Sequence, residues 1–370
     1  MSYVSDIFEK VTSRQTTEDG KFSADEVGLA NRNSGILLET LKQDITPAGI
    51  HYLLIHFDVP LLDAETHSLR FGNGFENPYS LNMADIRGLP RETLPVTLEC
   101  AGNGRAGISP RTYSMPWGTE AVGTSEWTGT RLAPLIDRAQ PKKGTVDFSF
   151  TGADRGFDKG IEHDFGRSLT PEQISELDVL LVYEMNGQPL LPQHGAPLRI
   201  IVPGWYGMAS VKWLTRIDAL DSPYLGFQQV NTYRYRENKD DIGIPVTSMR
   251  VKSLMAPPGI PDFITRVRHL RPGPVDITGR AWSGNGAGIE KVEFSDGNKW
   301  QEASLTAPSG RYAWTKWSIT WNAQPGEYQL RCRATDTNGE TQPLEPPWDA
   351  AGFGNNQCHT VSVYVDRRTG

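Results

Sequence analysis

The 370-residue sequence predicts an α+β core followed by an all-β sandwich. The first two-thirds mix near-continuous apolar runs with helix-start signals, a proline-rich stretch at residues 257–274 interrupts the chain, and beyond it apolar and polar residues alternate without helical periodicity. The expected division is an N-terminal arm over residues 1–45, a core over 46–245 and the sandwich over 246–370.

Residues 1–45 are polar and punctuated by Gly20, Asn31 and Asn33, which suits an arm or linker. In the core, residues 52–57, 68–71, 96–98 and 146–150 read as strands, and 81–86 and 129–139 as helices. Thr170 followed by Pro171 marks a capped helix start. Residues 179–183 and 198–202 are near-continuous apolar runs bounded by Gly and Pro, hence buried strands. After the junction, alternation over residues 275–278, 289–294, 314–321, 328–335 and 359–365 predicts an antiparallel sandwich of immunoglobulin type. Trp282, Trp300, Trp314, Trp317, Trp321 and Trp348 concentrate there, with core packing the expected reason.

Composition excludes several classes. A formal net charge of −7 without a basic run opposes a nucleic-acid partner. No segment has the apolar length to span a membrane, and the polar N-terminus shows no leader, so a cytoplasmic protein is expected, or a periplasmic one if a leader is missing. Cys100, Cys332 and Cys358 are odd in number and lack CxxC spacing, which opposes a disulfide framework and structural zinc.

Chemistry is expected around Cys100, in Leu94-Pro-Val-Thr-Leu-Glu-Cys-Ala-Gly-Asn-Gly-Arg105. A thiol between an apolar strand and a glycine loop, with a fixed cation five positions on, reads as a soft metal ligand; a buried structural cysteine is the competing reading. Gly102, Gly104 and Gly107 match the dinucleotide spacing GxGxxG, but Pro110 and Pro116 stand where its helix must run. His194 and Arg199 share one loop, and Ser210 and Lys212 follow a glycine-rich segment suited to a phosphate.

Five ordered segments carry a resemblance: Cys100-Ala-Gly-Asn-Gly-Arg105, Tyr183-Glu-Met-Asn-Gly-Gln-Pro-Leu190, His194-Gly-Ala-Pro-Leu-Arg199, Val202-Pro-Gly204 and Ser210-Val-Lys-Trp213. Together they resemble the sulfite oxidase family of molybdenum enzymes, and Ala281-Trp-Ser-Gly284 resembles the start of its dimerisation domain. The resemblance implies a homodimer and molybdenum on a pyranopterin (molybdopterin), with Cys100 as protein ligand to the metal. It implies that His56, Asp154, His194, Arg199, Ser210, Val211 and Lys212 hold the pterin and its phosphate. Arg105, Trp117 and Tyr233 would line the substrate pocket, with Tyr235 as the alternative tyrosine. The implied reaction is oxo transfer to sulfite or a related anionic or neutral sulfur compound. Electrons would leave to an external acceptor such as a cytochrome or oxygen, since the first 45 residues are too few for a heme domain. A non-catalytic binding relative and a nitrate-reductase-like enzyme are the alternatives.

The chain departs from the family at two pocket positions. Animal sulfite oxidases carry Arg-Asn-His where this sequence has Leu54-Ile-His56, and an Arg three residues after a Trp where Trp348 is followed by Ala351. Each lost cation removes roughly 1.5–3 kcal/mol of contact to an oxyanion. Weak sulfite binding is therefore expected unless Arg111, Arg234 or Arg236 substitutes.

Overall fold

The structure is a computed structural model describing residues 22–366 except Lys239. Helix α1 (Ala24–Arg32) opens it under a reciprocal cap in which Ser23 and Glu26 satisfy each other's backbone N–H groups. Residues 22–45 are not a linker. Ile36 and Leu41 are buried in the main core, and Glu26 pairs with Arg111. The rest of the expected arm lies outside the described residues.

The core strands are, in chain order, β1 (Ser68–Phe71), β2 (Tyr79–Asn82), β3 (Glu92–Glu99), β4 (Val122–Arg131), β5 (Asp147–Asp158), β6 (Ile161–Leu169), β7 (Leu180–Met185), β8 (Gln188–Pro189), β9 (Arg199–Ile201) and β10 (Leu214–Leu220). They form two sheets, β2-β1-β10-β5-β6 and β3-β4-β7-β8 with β9 on β7. Helices α2 (Met83–Arg87), α3 (Ala133–Ala139) and α4 (Pro171–Glu176) are short. The helix expected from residue 129 begins at Ala133, because residues 129–131 complete β4. The one expected at 81–86 is shared between β2 and α2, whose Asn82 cap marks the change.

Residues 52–57 are not a strand; Leu53 makes one bridge to Ser34. The reason lies in what they face. Tyr52, Leu53, Leu54 and His56 all line a single cavity, whereas a pleated strand sends successive side chains to opposite sides.

A ribbon of β11 (Arg234–Tyr235) and β12 (Ile244–Pro245) leads into the second part. There β13 (Lys252–Ala256), β14 (Ile260–Pro261), β15 (Arg268–Leu270), β16 (Gly273–Trp282), β17 (Ile289–Ser295), β18 (Trp300–Glu302), β19 (Ser304–Thr306), β20 (Thr315–Ala323), β21 (Gly326–Asp336) and β22 (His359–Val365) form a sandwich. Its sheets, β13-β16-β20-β19 and β14-β15-β22-β21-β17-β18, enclose a core that includes Trp317 and Trp321. Trp282 and Trp314 point the other way, into the core of the first part, and Trp348 is exposed.

Candidate cofactor site

Cys100 follows directly on β3, where the strand gives way to a loop pinned from several sides. Its N–H donates to Ala121 O at 2.9 Å, and its carbonyl accepts from Asn103 N at 2.9 Å. Gly104 adopts φ 91°, a left-handed turn that β-carbon-bearing residues rarely enter, and its carbonyl accepts from Asn355 Nδ2 at 2.7 Å. Behind the loop, buried Glu99 accepts from Asn103 Nδ2 at 3.0 Å, Lys252 Nζ at 2.8 Å and Trp282 Nε1 at 2.9 Å. Lys252 and Trp282 belong to the sandwich, so the thiol's support crosses between the two parts of the chain.

Cys100 opens onto a partly open cavity. Of the residues expected to hold a cofactor, His56, Cys100, Asp154, His194, Arg199, Ser210 and Lys212 line it, together with Tyr233. Val211 is buried behind the wall. Arg105 and Trp117 are also buried rather than on the wall. Burial pushes the Cys100 thiol up and the Arg105 charge opposes that rise, while the Trp117 indole N–H meets no acceptor. Arg105 is held by Met115 O at 3.0 Å and Ala351 O at 2.8 Å, which places Ala351 beside it.

The tyrosine alternatives separate here. Tyr233 OH lies 2.7 Å from His56 Nε2, whereas Tyr235 sits off the cavity beneath Arg250, 4.5 Å from its ring centroid. Burial lowers His56 to about 3, so its ring is neutral, and burial holds Tyr233 well above an ordinary tyrosine. The pair is a phenol hydrogen-bonded to a neutral imidazole.

Basic and acidic groups share the wall without forming an ion pair, although Lys212 and Asp154 each favour the other's charged form. Arg199 donates to His194 O at 2.9 Å and Ser210 O at 3.0 Å, yet its Nε meets no acceptor. Lys212 Nζ has carbonyl partners, Leu54 O at 3.0 Å and Gln193 O at 3.1 Å, and burial lowers its pKa to about 7. Asp154 Oδ1 is buried with no donor, and desolvation raises its carboxyl to about 6. Two cations and orphaned buried donors suit an anionic phosphate, and a bare carboxylate oxygen suits an N–H donor; a pyranopterin phosphate carries both. Among the described residues no group of three or more His, Cys, Asp or Glu could hold a metal alone. A metal at Cys100 would thus take its other ligands from the bound group.

Sequence reasoning missed His51 and Tyr52, both on the wall. It also missed Arg167, whose Cζ stands 5.6 Å from the Tyr233 ring centroid. Arg111, Arg234 and Arg236, considered as replacement cations, are engaged elsewhere: with Glu26, with the carbonyls of Ile242 and Gly243, and with those of Asn231 and Val230.

The chain matches the oxidoreductase molybdopterin binding domain over residues 56–228 and the Mo-co oxidoreductase dimerisation domain over 244–366. It is 31% identical over 350 residues to sulfite oxidase of Arabidopsis thaliana, covering 86% of this chain and 87% of that one. It belongs to the sulfite oxidase family. Mitochondrial sulfite oxidase of Homo sapiens is 32% identical over 348 residues, which cover 87% of this chain and 62% of the human protein's length. Among solved structures, sulfane dehydrogenase SoxCD from Paracoccus pantotrophus superposes with a TM-score of 0.77 at 26% identity, covering 90% of this chain and 86% of that chain. Molybdopterin is the cofactor this family membership implies, in agreement with the donors on the cavity wall.

The buried histidines predict how the cofactor-free protein responds to acid. His51, His56 and His194 are lowered by burial to about 4, 3 and 3, against about 6.5 in an unfolded chain. The unfolded state therefore binds protons that the folded state refuses, so stability is full above about pH 6.5 and is lost as the pH falls toward 3–4. The melting temperature should drop steadily below pH 6.5; a flat profile down to about pH 4.5 would contradict the neutral buried rings.

Proposed function

We propose that the protein is a molybdenum-cofactor oxidoreductase of sulfite oxidase type, acting on sulfite or a less charged sulfur compound and passing electrons to an external acceptor. The observation that carries this is Cys100 on the wall of a cavity shared with Arg199, Lys212 and the orphaned Asp154 oxygen. When bound, the cofactor supplies a soft metal that exchanges electrons and an oxygen atom with substrate.

The chain's own groups divide the remaining work. Cys100 binds the metal as thiolate, a form that metal binding restores against the upward push of burial. Arg105 stabilises that thiolate from the protein side. Lys212, Arg199 and Ser210 hold the phosphate end, Asp154 takes an N–H donor of the pterin, and His194 and His56 pack against it as neutral rings. Tyr233, kept protonated, presents its hydroxyl at the substrate side while His56 fixes its direction. Leu54, apolar on the same wall, favours a substrate carrying little charge there.

Metal and pterin analysis of the purified protein, with sulfite-dependent reduction of an artificial acceptor, tests the proposal. Molybdenum stoichiometric with the chain and reduction dependent on sulfite or a reduced sulfur compound are expected. Protein free of molybdenum after expression in a cofactor-producing host would remove the reading.

The same proposal includes a homodimer formed through the sandwich, in keeping with the dimerisation domain matched there. At the β14–β15 turn Phe263 and Ile264 are 88% and 83% exposed, apolar surface suited to a partner. Light scattering should give twice the 41.0 kDa chain mass at micromolar concentration, and a monomer mass would count against it.

A further inference from the structure

Arg167 is 2% exposed, and among the described residues no carboxylate lies within ion-pair distance of it. Its Nη1 donates to Gln228 O at 3.1 Å, while its buried Nε meets no acceptor. Burial lowers its pKa to about 10, which still leaves it charged at neutral pH. A buried cation without a counter-charge is costly, and natural proteins keep such groups where an anion arrives to compensate.

Its position says where that anion would be. Arg167 lies on β6 two residues beyond Phe165, on the same strand face, and Phe165 lines the cavity with its ring 4.6 Å from that of His56. The guanidinium faces the Tyr233 ring at 5.6 Å. The segment leading into Tyr233, Gln228–Thr232, is a π-helical turn, a rare form that recurs at functional sites. Gln228 O at its start accepts from both Arg167 and Tyr233 N–H, the latter at 3.0 Å.

We propose that Arg167 is a specificity-determining residue that binds the anionic oxygen of the substrate beside Tyr233, supplying from β6 the positive charge that Leu54 and Ala351 do not. It rests on the sulfur-oxyanion reading above. Removing Arg167 need not disturb the fold, because Gln228 O keeps the Tyr233 N–H and an uncompensated buried charge is lost. Binding and stability therefore separate, with Arg167→Leu weakening the first and sparing the second.

The experiment compares the molybdenum-loaded wild type with Arg167→Leu and Arg167→Lys. It measures steady-state sulfite oxidation with an artificial acceptor, calorimetric titration with inorganic sulfate, and the melting temperature. In Arg167→Leu the sulfite KM should rise roughly 10- to 100-fold with kcat little changed. Sulfate affinity should fall in parallel, Arg167→Lys should recover part of both, and the melting temperature should hold or rise. Unchanged KM and sulfate affinity in Arg167→Leu would overturn the proposal, as would a fall in kcat alone, which would mark Arg167 as a support for Tyr233. If Arg167→Leu does not fold, Arg167→Lys decides by the same two binding readouts, an unchanged pair again overturning it. A wild type that binds sulfate through Arg167 yet oxidises no sulfite would keep this anion site and reject the assigned reaction.

Discussion

Cys100→Ser is expected to yield a folded protein without oxidation activity. The side chain is 7% exposed and nearly isosteric with serine, and the loop is fixed by backbone and Asn103 contacts that the change leaves alone. The metal bond is what changes: a hydroxyl is a hard, weakly acidic donor where a soft thiolate is required. Outer-shell substitutions at metal sites cost about 10–100-fold in affinity or activity, so loss of the ligand itself should exceed that range. Molybdenum X-ray absorption should show one sulfur fewer in any metal retained. Unchanged sulfur coordination, or activity within tenfold of the wild type, would sink the assignment of Cys100.

Lys252→Ala should cost more stability than any substitution on the cavity wall. The Lys252–Glu99 pair is buried on both sides, at 3% and 2% side-chain exposure, and Lys252 also donates to Asn103 O at 3.3 Å and Asn355 O at 2.7 Å. Removing the lysine strands the Glu99 carboxylate in the interior, a loss of about 3–5 kcal/mol. The urea midpoint should fall accordingly. Combining Lys252→Met with Glu99→Gln should recover much of that loss, because no uncompensated charge then remains. If the double variant is as unstable as the sum of the singles, the two side chains act independently and the account of their coupling is wrong.

Most of the cavity wall was legible in the sequence because its donors sit in short loops between apolar strands. His194, Arg199, Ser210 and Lys212 fall within one stretch of chain folded back on itself by β9, so sequence neighbours are also neighbours in space. The strands of the sandwich were equally legible, since alternation there reports burial on one face. The segment at 52–57 misled because its apolar run matches a strand, while its side chains turn together toward the cavity, and that reading hid Tyr52 and the preceding His51. Glu99 with Lys252 could not be read, as 153 positions separate them and neither has a local pattern that names the other. Arg167 left one usable signal: in the alternation of a strand it stands between two apolar residues, Phe165 and Leu169, and so on the face that they turn inward.

The cross-strut of Glu99, Lys252 and Trp282 bears on how the polypeptide can be divided. Every side chain on the cavity wall lies at or before Tyr233, so a fragment ending near residue 245 would contain the full ligand-binding inventory. Such a fragment would nonetheless leave the Glu99 carboxylate, one residue from the thiol, with Asn103 but without Lys252 and Trp282, and with Asn355 and Gly354 no longer closing the glycine turn. The loop carrying Cys100 is thus finished by residues far along the chain from it, Lys252 standing 153 positions after Glu99. A division of the polypeptide between its two parts would keep the cavity's side chains and lose the contacts that fix the thiol's loop.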